Sequence, residues 1–208
     1  MSESEPRPGA APLTRWAVGG AGNDGYGRMF GELVSAGTDV DGEARLADAL
    51  LPRDARVLDA GSGMGRVSAA LAARGHRVVG IEPDAALVAQ CRHTFPGLEV
   101  VESDILGVTA EQLGLFDLVV CVGNVMIYLA DGTERAVLAR LRSLLAPGGR
   151  ILVGFHPVDG PTNSRTYPPE EFVADAEASG LRVDLRFGTY ELHPPLETYA
   201  VWVLSPEA

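Results

Sequence analysis

Residues 57–71 read VLDAGSGMGRVSAAL. An aliphatic run meets an aspartate, glycines follow at 61, 63 and 65, and an amphipathic, Ala-rich stretch begins at Arg66. Each ordered glycine loses more backbone entropy than any other residue. Three of them between a strand-like and a helix-like segment imply that another backbone, or a ligand, comes very close there. In an open sheet of parallel strands, such a turn after the first strand lies at the carboxyl edge, near the point where strand order reverses. Ligands bind at that point. The stretch therefore predicts an α/β sheet with a pocket at the end of its first strand.

The rest of the chain reads in the same way. Strands are predicted at Arg56–Ala60, Arg77–Glu82, Leu98–Val101, Phe116–Val122, Arg150–His156, Leu181–Phe187 and Thr198–Leu204. The early ones are nearly continuous Val, Ile and Leu, as parallel strands buried on both faces require. Helices are predicted at Arg66–Arg74, Asp84–Phe95, Asp131–Leu145 and Pro169–Ser179, with Asp84 and Asp131 as N-caps and Gly75, Gly97, Pro147-Gly148-Gly149 and Gly180 as stops. Strand and helix alternate, which calls for a mostly parallel sheet with helices on both faces. No helix fits between the last two strands, where TYELHPPLE carries two prolines, so these form an antiparallel hairpin. Tyr26–Ser35 and Gly42–Leu51 read as helices packed over one end of the sheet. The 208 residues suit one domain with a substantial core. Residues 1–12 read as a loose tail, 13–54 as a helical cap and 55–208 as a Rossmann-like core.

Composition narrows the function. A formal net charge of −11 without a basic run argues against nucleic-acid binding, which needs clustered Lys and Arg. No apolar run has membrane-spanning length, and the first residues lack the basic start and apolar core of a signal peptide. Cys91 and Cys121 read as free buried thiols of a reducing compartment, so metal and disulfide readings are set aside and a cytoplasmic location is expected.

Two ligand classes compete for the glycine turn. A dinucleotide fingerprint needs Gly-x-Gly-x-x-Gly, with a pyrophosphate on the helix N-terminus. Here the third glycine of that pattern falls on Arg66, and the loop opens on Asp59, whose carboxylate repels a pyrophosphate and suits an ammonium or sulfonium group. Glu82 ends the second strand 21 residues after Gly61, the spacing of a ribose-binding acid. Its two oxygens can accept from two vicinal hydroxyls at once.

In this order and spacing, VLDAGSGMG, VVGIEPD, ESDI, FDLVVCVGNV and LLAPGGRILV resemble the successive motifs of class I S-adenosylmethionine-dependent methyltransferases of small-molecule type. The resemblance runs from about Arg56 to Phe155 and implies a seven-stranded Rossmann-like sheet whose C-terminal hairpin is antiparallel. It implies S-adenosylmethionine as cofactor, S-adenosylhomocysteine as product and a small-molecule acceptor. It places Gly61, Ser62, Gly63 and Gly65 against the cofactor's methionine and ribose, with Asp59 facing its amino end. It places Glu82 on the ribose, Pro83 under the adenine edge, and Ser103, Asp104 and Ile105 around the adenine amine. Gly123 and Asn124, ending the fourth strand, fall beside the methyl group. Where many members carry an acid, this chain has Asn124, so an acid acting on an amine is not expected there.

His156 ends the fifth strand and has an unperturbed pKa suited to a general base for a phenol-like acceptor. Asn124 as a helix cap and His156 as a core residue are the plain alternatives. His76 and His93 read as surface residues, and Tyr26 reads equally as a residue over the cofactor or as a core residue. A binding protein without turnover is the alternative function. The sequence leaves the acceptor, the methylated atom and the oligomeric state open.

Overall fold

The computed structural model describes residues 12–20 and 25–207. The expected tail lies outside them apart from Pro12, and so does the side chain of Tyr26. Helices α1 (Arg15–Gly19), α2 (Tyr26–Ser35) and α3 (Gly42–Ala49) precede β1 (Arg56–Ala60). Then follow α4 (Arg66–Ala73), β2 (Arg77–Glu82), α5 (Ala85–Thr94), β3 (Glu99–Glu102), α6 (Ala110–Leu113) and β4 (Phe116–Cys121). The chain ends with α7 (Glu134–Ser143), β5 (Leu145–Phe155), α8 (Pro169–Ala178), β6 (Leu181–Phe187) and β7 (Ala200–Pro206).

The strands form one sheet in the order β3-β2-β1-β4-β5-β7-β6. The first five run parallel, and β7 lies antiparallel between β5 and β6. Side chains alternate along each strand, so one sequence feeds two cores. Leu58, Ile81, Val119, Val153 and Trp202 face the side covered by α7 and α8. Val57, Leu118, Val120, Leu152 and Val203 face the side covered by α3 and α4. Edge strand β6 is largely exposed and carries Arg182, Asp184 and Arg186, charges that discourage pairing with another sheet.

Four local expectations change. Helix α7 starts at Glu134 because Gly132 sits at φ 73°, which no helix continues through; Asp131 is instead exposed and ion-paired to Arg15. Strand β5 starts at Leu145, pairing with Phe116 before a bulge. The Pro147-Gly148-Gly149 run forms that bulge, and a Cβ on Gly149 would stand 2.8 Å from the Phe116 carbonyl oxygen. His76 is buried, not on the surface, because its Nε2 lies 2.9 Å from Asp48 of α3. Helix α3 lies against a face of the sheet rather than over its end, since Ala44, Leu46 and Ala47 join the second core.

Candidate functional site

Strand order reverses between β1 and β4, and the glycine loop crosses the gap there. Gly61, Gly63 and Gly65 take φ of 80°, 56° and 86°, conformations that favour glycine. The loop is pinned to β2 by bonds from the Gly61 and Ser62 N–H groups to the Ile81 carbonyl at 2.9 and 3.0 Å. Two glycines also answer to packing. A Cβ on Gly61 would meet Val125 at 2.4 Å, and one on Gly65 would meet the Cys91 sulfur at 2.5 Å. Gly65, the residue before α4, does not line the cavity, whereas Gly61 and Gly63 do.

Two carboxylates are buried beside this loop. Asp59 accepts from the Ser68 hydroxyl at 2.7 Å, and burial pushes its pKa up to about 6. Glu82 accepts from the Gly63 N–H through Oε2 and from the Asp84 N–H through Oε1, both at 2.9 Å. Burial still raises its pKa to about 7, the two backbone donors only opposing the shift. Each oxygen uses one lone-pair direction on the protein and keeps another for a ligand.

A cavity of about 180 Å³ opens over the ends of β1, β2 and β4. Asp59, Glu82 and Pro83 line it, together with Ser103, Asp104 and Ile105 after β3. The Ser103 N–H donates to the Glu82 carbonyl, and Asp104 Oδ1 accepts from the Gly107 N–H at 2.7 Å, capping a 3-10 turn at Ile105–Gly107. Gly123 and Asn124 line the far side in left-handed conformations, φ 70° and 79°. Asn124 caps no helix with its side chain, so the helix-cap alternative fails.

Sequence reasoning missed the roof. Helix α1 is only five residues long, too short to show a periodicity, yet Trp16 and the preceding Thr14 line the cavity. The Trp16 Nε1–H donates to Asp84 at 2.9 Å, its ring meets Tyr128 edge-on at 5.5 Å, and its backbone N–H donates to the Tyr128 carbonyl. Tyr128, Phe30 and Pro161 complete the wall. Arg66 lines it too, holding Glu43 through both guanidinium nitrogens and lying over the Phe30 ring.

His156 is half-buried and is not part of the cavity wall; it stands behind Asn124. Asn124 Oδ1 lies 3.0 Å from its backbone N and 2.9 Å from its Nδ1. Tyr199 meets the imidazole edge-on at 4.7 Å and is bonded through its hydroxyl to Tyr190 at 2.8 Å. Burial lowers the pKa of His156 below the ordinary value. Both cysteines are free and buried, as expected. Among the described residues, no group of three or more His, Cys, Asp and Glu is placed to hold a metal ion, and no helix is long and apolar enough to cross a membrane.

The donor set is that of a cationic, hydroxyl-bearing ligand: three carboxylates converge on the cavity, and its one guanidinium is already engaged by Glu43. The Ser62 hydroxyl on the same wall is buried without a protein partner. These groups fit S-adenosylmethionine. A family model for a methyltransferase domain matches residues 57–149. A TehB-like SAM-dependent methyltransferase from Corynebacterium glutamicum superposes with a TM-score of 0.79 at 32% identity, covering 90% of this chain and 99% of that one. The chain belongs to the S-adenosylmethionine-dependent methyltransferases. Its Rossmann-like sheet and cofactor class are those of that family.

Curated relatives of this methyltransferase diverge in activity. A ubiquinone biosynthesis O-methyltransferase from Xanthomonas axonopodis is 36% identical over 109 residues, 50% of this chain and 44% of that protein. A carboxy-S-adenosyl-L-methionine synthase from Pseudomonas fluorescens is 27% identical over 172 residues, 74% of this chain and 68% of that protein. The chain thus spans about half the length of the ubiquinone enzymes it matches, 44% and 57%.

Proposed function

We propose that this chain transfers the methyl group of S-adenosylmethionine to a small-molecule acceptor in the cytoplasm. The observation that carries the reading is Glu82, a buried carboxylate held by two backbone N–H groups at the edge of the cavity. Each of its oxygens has room for one ribose hydroxyl. Asp104 has one oxygen committed to its own turn and one for an exocyclic amine. Gly61 and Gly63 let the backbone close on the ligand, and Asp59 supplies the anionic surroundings that an ammonium or sulfonium group requires.

When bound, the cofactor supplies an electrophilic methyl on a sulfonium. The protein's part is then alignment and exclusion of water. Trp16, Phe30 and Tyr128 wall off solvent, and Asn124 and Pro161 border the side on which the acceptor enters. His156, beyond Asn124, takes the acceptor's proton where the acceptor carries one. The small-molecule reading agrees with the net charge of −11, which disfavours a nucleic-acid acceptor.

The relatives' names span an O-methyltransferase and a carboxy-S-adenosyl-L-methionine synthase, so the acceptor is identified by experiment. The test is an acceptor screen with the purified chain, reading S-adenosylhomocysteine and the methylated product by mass spectrometry. A product heavier than its acceptor by one methylene supports the proposal. Tight S-adenosylhomocysteine binding with no product across phenols, amines, carboxylic acids and thiols favours a binding protein without turnover.

A further inference from the structure

Asn124 and His156 are joined twice. Asn124 Oδ1 accepts from the His156 backbone N–H at 3.0 Å and lies 2.9 Å from His156 Nδ1. A backbone N–H only donates, so the atom it meets is the amide oxygen, and the orientation of the amide is settled. An amide oxygen has no hydrogen to give. His156 Nδ1 therefore carries the proton, and in the neutral ring Nε2 keeps its lone pair. We infer that Asn124 is a positioning residue that locks His156 in the Nδ1–H tautomer, with Nε2 as proton acceptor for the methyl acceptor. The inference rests on the proposed role of His156 as base.

The backbone supports it. Asn124 sits at φ 79°, directly after Gly123 at φ 70°, and its N–H donates to the Gly154 carbonyl at 3.2 Å, tying the end of β4 to β5. Asparagine is among the few residues other than glycine that adopt this left-handed conformation readily, so the turn accepts a side chain here that can reach His156. The opposite face of the imidazole is bounded by Tyr199, edge-on at 4.7 Å. Amide and phenol together bound the ring on two sides.

The choice of an amide also has chemical content. The titratable groups around the imidazole are the Tyr199 phenol, on the approach to β7, and Tyr190 one hydrogen bond further, after β6. Glu43 of α3 acts on Tyr190. Burial alone shifts His156, and it shifts it downward. A carboxylate on Nδ1 would orient the ring but favour the imidazolium. Asn124 orients it and leaves it neutral. In the step, a lone pair of the acceptor forms the bond to the methyl carbon. The carbon–sulfur pair stays on sulfur, giving the neutral thioether. The acceptor's proton passes to Nε2, and the imidazolium still donates through Nδ1 to Asn124.

Nitrogen-15 NMR of the full chain reads the tautomer directly, with His156→Gln assigning the signal among four histidines. The expected parent has a protonated Nδ1 and a bare Nε2. Asn124→Gly relaxes the left-handed backbone while deleting the amide; it should lose that preference and lower kcat about tenfold or more, a part of the roughly 10²–10⁴-fold that general-base catalysis supplies. Asn124→Asp should keep the tautomer, raise the imidazole pKa by about one unit or more, and move the acid limb of kcat to higher pH. A parent ring protonated on Nε2, or an unchanged tautomer in Asn124→Gly, overturns the lock. Loss of the tautomer preference in Asn124→Gly with full kcat overturns its catalytic use. The tautomer is read without an acceptor, so failure of the methyltransferase proposal and failure of the lock are distinguishable.

Discussion

Glu82 is 5% exposed, and both of its oxygens already accept backbone N–H groups. A hydrogen bond to a charged group contributes roughly 1.5–3 kcal/mol, so Glu82→Ala should weaken S-adenosylhomocysteine binding about 10- to 150-fold by calorimetry. Its pKa of about 7, like that of Asp59 at about 6, is raised by burial. In the ligand-free chain a raised carboxyl pKa contributes stability that is full below the unfolded value and lost as pH rises through the folded one. The melting temperature should therefore fall as pH rises towards 7, and fall less in Glu82→Gln. On the proposed ribose role of Glu82, affinity for S-adenosylhomocysteine should rise over the same interval, because the ionised carboxylate is the stronger acceptor for hydroxyl groups. Parallel melting profiles for parent and Glu82→Gln count against a buried, titrating Glu82. Gly61→Ala forces a Cβ within 2.4 Å of Val125 at φ 80° and should destabilise the fold by about 1–3 kcal/mol in urea melts.

Among the elements, α1 is the one with most effect on the site for its length. Its five residues hold Trp16 between Asp84 and Tyr128 across the cavity. Trp16→Ala should raise the dissociation rate of S-adenosylhomocysteine about tenfold, by the loss of roughly 1.4 kcal/mol of contact, in stopped-flow displacement. An unchanged rate removes α1 from the roof. The reason α1 escaped sequence reading is physical: five residues make little more than one turn, and what places them is tertiary contact with Asp84 and Tyr128. The strands β1, β2 and β6 were legible to the residue, because charged or glycine residues bound each apolar run. The start of β5 was not, because a bulge lets the chain pair with Phe116 across Pro147-Gly148-Gly149, a run that reads locally as a stop. At the site, acids and glycines at strand ends were legible because their position follows from topology. Phe30, Tyr128 and Pro161 were not, since an aromatic or apolar residue on a loop reads the same whether it fills a core or lines a cavity.

At the scale of the whole molecule, one topological fact organises the site. Strand order reverses between β1 and β4, so the loops after them part and leave a crevice that helices cannot fill. The acidic strand ends Asp59 and Glu82 open into it, and Asp104, after β3, lines the end opposite Gly123 and Asn124. The antiparallel pair β6 and β7 adds Tyr190 and Tyr199 near the end of β5, on the side of His156. The crevice thus has a carboxylate-lined half, which the proposed reading gives to the cofactor, and an opposite side at Asn124, with His156 behind it, which that reading gives to the acceptor. The central claim is that this crevice takes a sulfonium nucleoside and not a dinucleotide. Titration calorimetry of the purified chain with S-adenosylhomocysteine and, separately, with NAD tests it most directly. The account predicts a one-site isotherm for S-adenosylhomocysteine, weakened in Glu82→Ala, and no heat of binding for NAD. Tighter binding of NAD than of S-adenosylhomocysteine would contradict it.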